Sequence, residues 1–371
     1  MKDLQGKLIA IVLTTVLSFS AYNSSAQLTD MGRLLTGGAE DGAKLLEAYL
    51  TPFPAAFGAT LNAGWYNTAR THRFPGFDLT LSVNLAFVPD EAKQFNLADL
   101  QLSQYTRFPE GAVSPTFSGA SGDPRPAMQV ISEEHGVVIA EYTLPQGTGV
   151  GFIPAPTLQL GVGVPFGTDI IARYTPEVTF GDAGNMGLWG AGVKHDVKQW
   201  LPFLRRLPIV NLSVMGGYTN FYTGADIDFR PANIRDANNR PANDNTTTMV
   251  SFDNQYMNFR VQSFTANIIG SADLPMFTAY AGLGINSTTT NLKMTGWYPV
   301  PRIDPQDPSA IEVTDNSAIK DPVDFTLGDY RGAQPRVTMG GKVKLAILHI
   351  HLDYTWSNYS VITAGMGISF R

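Results

Sequence analysis

Cysteine is missing from all 371 residues, which excludes the disulfide-stapled class of small secreted domains. Beyond residue 26 there is also no uncharged apolar run of the roughly 20 residues that a membrane-crossing helix needs. Basic blocks are absent and the formal net charge is -6, so nucleic acid is excluded as a partner. A Gly-x-Ser-x-Gly nucleophile elbow does not occur, and no spacing unites a serine with a histidine, so the chain is not expected to be an enzyme. The acidic loop at 302–308 lacks the alternating acids and glycine bend of a calcium-binding EF-hand and reads as a solvated loop.

The N-terminus carries a positive feature. Lys2 and Lys7 precede an apolar stretch over 8–19, and Ser24, Ser25 and Ala26 lead to Gln27. These are the three parts of a cleavable signal peptide, so 1–26 is expected to be removed on export.

Period-two alternation dominates the rest of the chain. Phe77, Leu79, Leu81, Val83, Leu85 and Phe87 form one apolar row, with Asp78, Thr80, Ser82, Asn84 and Ala86 between them. Comparable rows run through 157–164, 189–197, 210–218, 277–285, 337–345 and 348–356, and the last covers Ile362 to Phe370. A soluble sandwich also alternates, so the intervening residues decide. They are glycine, threonine, serine and charges such as Lys342, Lys344 and Asp353, which suit a hydrated lumen and would each cost a few kcal/mol facing lipid. The 36 glycines and 14 tyrosines fit many turns and aromatic interface positions. Short links near 165–167, 201–208, 271–275 and 346–347 alternate with long polar ones at 224–254 and 296–334, the wiring of periplasmic turns and external loops.

The fold expected is therefore all-β: a transmembrane antiparallel β-barrel of 12–14 strands, with fourteen preferred. About eleven segments alternate strongly, and weaker candidates lie at 97–108, 127–131 and 137–144. Whether 89–154 adds strands or forms an external lid is open. Residues 28–50 show helical spacing of leucines, split at Gly37 and Gly38 and stopped by Pro52 and Pro54. The apolar face formed by Leu34, Leu35, Leu45, Leu46 and Tyr49 must be buried, so 27–54 is read as a helical plug in the periplasmic mouth and 55–371 as the barrel.

Residues 188–208 (LWGAGVKHDVKQWLPFLRRLP) and 65–77 (WYNTARTHRFPGF) resemble an uncharacterised family of Bacteroidetes outer-membrane proteins, over nearly the whole mature chain. The architecture, short helices before a barrel, resembles the long-chain fatty-acid transporter (FadL) family. That resemblance implies fourteen strands, an N-terminal hatch and passage of hydrophobic small molecules through an opening in the wall; no ligand-contacting residue can be carried over.

Among candidate sites, His349, His351 and Asp353 share one side of a strand at a spacing that can chelate zinc or copper, but a polar lumen wall explains them as well, and no metal or cofactor is expected. His195 and Trp200, at a periplasmic turn, are either a contact to the plug or part of an aromatic girdle. The function expected is passive transport of hydrophobic or small amphipathic molecules through a porin-like barrel gated by the plug. The alternative is a scaffold barrel for other envelope proteins. Expected partners are outer-membrane lipid, the assembly machinery that would read the Phe370 strand during insertion, and a hydrophobic small-molecule ligand.

Overall fold

The computed structural model describes residues 33–132, 135–179, 184–236, 238–307, 310–327 and 332–370, so the expected signal peptide lies outside the described residues. Ten strands build one closed wall. In chain order they are β1 (Phe77–Phe87), β2 (Phe152–Val164), β3 (Thr168–Thr179), β4 (Asn185–Asp196), β5 (Val210–Ile227), β6 (Gln255–Asp273), β7 (Phe277–Thr295), β8 (Gln334–Leu345), β9 (Leu348–Trp356) and β10 (Val361–Phe370). Each pairs antiparallel with its chain neighbour, and β1 pairs with β10, Phe77 opposite Phe370, so no edge is left open.

The burial pattern is inverted relative to a soluble sandwich. On β7, Leu283 is 64 % exposed while Thr278 is fully buried, and on β9 Leu352 is 60 % exposed while His351 is buried. Apolar residues outside and polar residues inside require a lipid environment, because in water the outer rows would be the exposed face. Among the described residues no helix is long and apolar enough to cross a membrane; the crossing elements are strands.

The expected count of 12–14 strands is corrected to ten. Strands β5, β6 and β7 run for 18, 19 and 19 residues, well beyond the roughly 9–11 that cross a bilayer, and so absorb sequence that would otherwise make separate strands. Their far ends stand above the wall at the long-loop mouth, where Val323–Leu327 pairs with β7 beyond the end of β8. The weak candidates become short pieces outside the barrel: Thr106–Arg107, Ala127–Ile131 and Val138–Thr143 form one small sheet, and Gln94–Asn96 pairs with Val113–Pro115. At two to six residues they are too short to span. The stretch 89–151 is thus a folded external lobe.

The leading segment also departs from expectation. A 3-10 turn (Leu34–Gly37) is followed by α1 (Ala39–Leu50), and Pro52 does not merely stop it: Pro52 is the first residue of α2 (Pro52–Asn62), where its missing N–H costs nothing. Helix α1 lies at the long-loop mouth, opposite the periplasmic mouth expected. Asp41 accepts hydrogen bonds from Ser103 N (2.8 Å), Ser103 Oγ (2.6 Å) and Thr106 Oγ1 (2.5 Å) of the external lobe. Leu34, Leu35, Leu45, Leu46 and Tyr49 are buried in one apolar cluster with Met128, Val130 and Leu144. The external lobe supplies the apolar partners that this helix face requires, which is the physical reason for the placement.

Candidate functional site

From α2 the chain descends through the lumen as an extended segment, 63–76, and emerges at the short-turn end to start β1. Phe57 packs on Phe221 of β5 (4.5 Å between ring centroids) near the top, and His72 reaches Asp169 at the foot of β3. Without helix or sheet partners, the carbonyls of such a segment need other donors.

The wall provides them. Arg173, fully buried on β3, donates from Nη1 to Leu61 O (2.9 Å), from Nη2 to Ala63 O (2.8 Å) and from Nε to Gln159 Oε1 (2.9 Å). Arg336 of β8 donates to Asn62 O. Leu61 and Asn62 are the last residues of α2 and Ala63 is its C-cap, so two cations close the helix at its negative end. Lower down, Gln159 donates to Trp65 O (3.2 Å), Lys194 to Arg70 O (3.2 Å) and Lys342 to Asn67 Oδ1 (2.8 Å). Ser271 accepts from Ala69 N, and Asp273 accepts from Thr68 Oγ1 (3.0 Å) and lies 3.4 Å from Lys344.

Side chains of the segment fit glycines of the wall. Trp65 fills a slot between Gly192 and Gly217, where an added Cβ at either position would stand 2.8 Å from the indole. The Arg173 guanidinium stacks 3.8 Å from the centroid of that ring. Tyr66 meets Tyr280 edge-on at 6.1 Å and covers Gly282.

One constellation has no counterpart in the sequence reading. His72 Nδ1 lies 3.1 Å from Asp169 Oδ2, and His72 Nε2 lies 3.3 Å from Ser369 Oγ of β10. Serine, histidine and aspartate are thus brought together, although no spacing along the chain unites them. The same carboxylate also accepts from His72 N (2.8 Å) and pairs with Lys194 (3.1 Å).

The residues singled out from the sequence fall into two groups. His349, His351 and Asp353 do face the lumen; His349 lies near Asn67 (3.5 Å) and Asp78 (3.8 Å), and Asp353 accepts from Tyr280 (2.8 Å). Among the described residues no group of three such side chains is arranged to hold a metal. His195 sits on the outer wall, with Nδ1 2.8 Å from Thr168 Oγ1 and Nε2 accepting from Trp200 Nε1 (3.0 Å). That is the girdle placement and not a contact to the lumenal segment. Its neighbour Lys194 has the opposite strand parity and makes the lumenal contact instead. Parity places Gln159 and Lys194 on the lumen side, but the sequence singles out neither them nor Arg173 and Arg336 as contacts to the leading segment, although a charge at inward parity within an apolar-alternating strand, as in Asp169 and Arg173 of β3, is a usable signal.

Among curated proteins none matches this chain. Solved structures similar to it include the outer-membrane protease OmpT from Escherichia coli (9 % identity, TM-score 0.31, covering 82 % of this chain and 100 % of that one). Two others are the outer-membrane transporter YddB from Escherichia coli (9 %, TM-score 0.26, 80 % and 41 %) and the transport unit of the autotransporter AIDA-I from Escherichia coli (8 %, TM-score 0.26, 86 % and 99 %). All three are outer-membrane proteins, and likeness at this level says nothing of activity. The family description that matches names neither a substrate nor a bacterial phylum, and its model extends over residues 1–370: the chain belongs to the family of unknown function DUF6588.

Proposed function

We propose that this chain is an outer-membrane barrel that works closed: a membrane-seated scaffold that holds a folded lobe at its long-loop mouth, with the short turns in the periplasm. The observation that carries this reading is the fit of the lumenal segment, whose carbonyls between Leu61 and Arg70 are bound by buried cations and Gln159 of the wall. Helix α1 ties the segment to the external lobe through Asp41, so that segment, lobe and wall form one unit. Passive transport gated by the N-terminal segment would require all of these bonds to break together.

An engineered disulfide tests the two against each other, since the chain has no cysteine of its own. Thr68 Oγ1 and Ser271 Oγ lie 3.3 Å apart, within reach of a disulfide between Thr68→Cys and Ser271→Cys. Planar-bilayer conductance of the double variant is expected to be near zero and equal with the bond oxidised or reduced. Channel activity that appears only on reduction would establish gating and sink the closed-scaffold reading.

A second reading is favoured by the Ser369–His72–Asp169 contact, which has the order of groups of a serine hydrolase: Ser369 Oγ would attack an ester carbonyl and pass its proton to His72 Nε2, the ester C–O bond would break as the alcohol leaves with that proton, and water would then release the acyl group as the acid. The shared use of Asp169 by Lys194 and by His72 N supports a latch over a relay. Incubating the folded full chain with a fluorophosphonate probe is expected to give no labelling. Labelling that vanishes in Ser369→Ala would replace the scaffold reading with the hydrolase.

A further inference from the structure

The outer wall is not uniformly convex. Over β4, β5, β6 and β7 it holds a groove of about 550 Å³ that opens toward lipid. Val193, Ile268 and Leu283 flank it, Gly216 and Ala266 lie in its floor, and His195 stands at its short-turn end. An added Cβ at Gly216 would meet nothing within 4 Å, so the depression exists because the outward side chain there is missing. Toward the short turns the next outward row is Val214, Ile268 and Leu283, and only beyond it does Gly270, likewise open, pair with Ala281 of β7. The Val214, Ile268 and Leu283 side chains thus wall the groove on its short-turn side, where His195 completes the row.

At the short-turn rim the chemistry changes. His195 accepts from Trp200 Nε1, which links the groove directly to the turn joining β4 and β5. That turn carries α3 (Pro202–Arg205), with Trp200 and Phe203 exposed by 69 % and 66 %, and with Arg205 and Arg206 both exposed. Arg70 and Arg73 are exposed at the same end of the barrel, where the lumenal segment emerges. The whole chain has a formal charge of -6, so this rim is basic against the average of the molecule. Exposed aromatics beside arginines are the composition of an interfacial anchor, and arginine binds phosphate with bidentate geometry.

We propose that the groove and the turn together form a binding site for one anionic phospholipid of the leaflet at the short-turn end, its acyl chain along Gly216 and Ala266 and its phosphate at Arg205 and Arg206. The volume falls within the roughly 300–1,000 Å³ of small-molecule sites. An acyl chain matches the apolar lining, and a headgroup held at the rim leaves its charge in the interface. The assignment uses the membrane seating of the barrel and is independent of whether the lumen ever opens.

The test uses the full-length protein folded in nanodiscs of phosphatidylglycerol and phosphatidylcholine in equal parts, released into the gas phase for native mass spectrometry. One retained phosphatidylglycerol per barrel is expected, favoured over phosphatidylcholine by about fivefold or more, in line with about 1 kcal/mol per interfacial basic residue. The double variant Gly216→Leu, Ala266→Leu fills the groove from the lipid side and is expected to lose the retained lipid. Arg205→Gln with Arg206→Gln is expected to abolish the preference between the two lipids. Heat-modifiable gel mobility checks that each variant is folded, which separates failure of insertion from failure of the site. Equal retention of both lipids by the parent chain overturns the proposal, as does retention unchanged by the groove-filling pair, which would mean adsorption of headgroups at the basic rim alone.

Discussion

Replacing Arg173 with methionine is expected to destabilise the folded barrel by roughly 3–5 kcal/mol, the range for removing one partner of a buried charged pair. Apolar replacement of a buried ion pair is often neutral when both partners go. Here the partners are the backbone carbonyls of Leu61 and Ala63, which no substitution removes. Each unpaired buried acceptor costs about 1–3 kcal/mol, and Gln159 Oε1 is orphaned as well. The gain from no longer burying a guanidinium offsets part of this, and lost stacking on Trp65 adds a further fraction. Urea titration in detergent micelles, followed by tryptophan fluorescence, measures the shift. Arg173→Lys is the useful comparison, because an ammonium on a flexible stem is a poor substitute for the fork that spans two carbonyls, and it should recover only part of the loss. A midpoint equal to that of the parent chain for Arg173→Met would show that the guanidinium does not hold the segment.

The second large effect concerns what closes the pore. Removal of 28–50 from the full chain is expected to leave bilayer conductance near zero, because α1 roofs the long-loop mouth while the lumen itself is filled by α2 and 63–76. Removal of 28–72 is expected to produce discrete channel openings. Barrels of about eight strands have an interior that side chains alone can fill, and a ten-strand wall that already admits one extended chain has a bore to lose. Should the larger deletion fail to fold, Trp65→Gly with Tyr66→Gly in the full chain removes the two large aromatics buried against Gly192, Gly217 and Gly282 and should raise conductance by itself. Channel openings after the shorter deletion would instead make α1 the barrier.

Much of the wall is legible in the sequence. Strand parity is a local property: a residue two positions from an inward threonine is also inward, whatever the partner strand. Alternation alone therefore assigns Lys342, Lys344, His349, His351 and Asp353 to the lumen side, and composition alone marks the short links at 165–167 and 346–347 as turns. The same rule, applied to Lys194 and His195, places the lumenal contact on the lysine, as the structure has it.

Local pattern points to the class of fold only when alternation is read together with the glycine, threonine and serine of the intervening row and the succession of short and long links, since alternation alone also suits a soluble sandwich. It is not enough for the number of strands, since an 18- or 19-residue strand and two short ones with a turn between them carry similar local patterns, and only pairing across the sheet tells them apart. Nor does it place the leading helices. Their apolar face has to be buried, but the partners, Met128, Val130 and Leu144, are about a hundred residues away along the chain, in segments whose own position depends on the closed wall. The contact between His72, Asp169 and Ser369 arises in the same way: three residues far apart in sequence meet because β1, β3 and β10 begin or end at one rim and the chain leading into β1 passes between them.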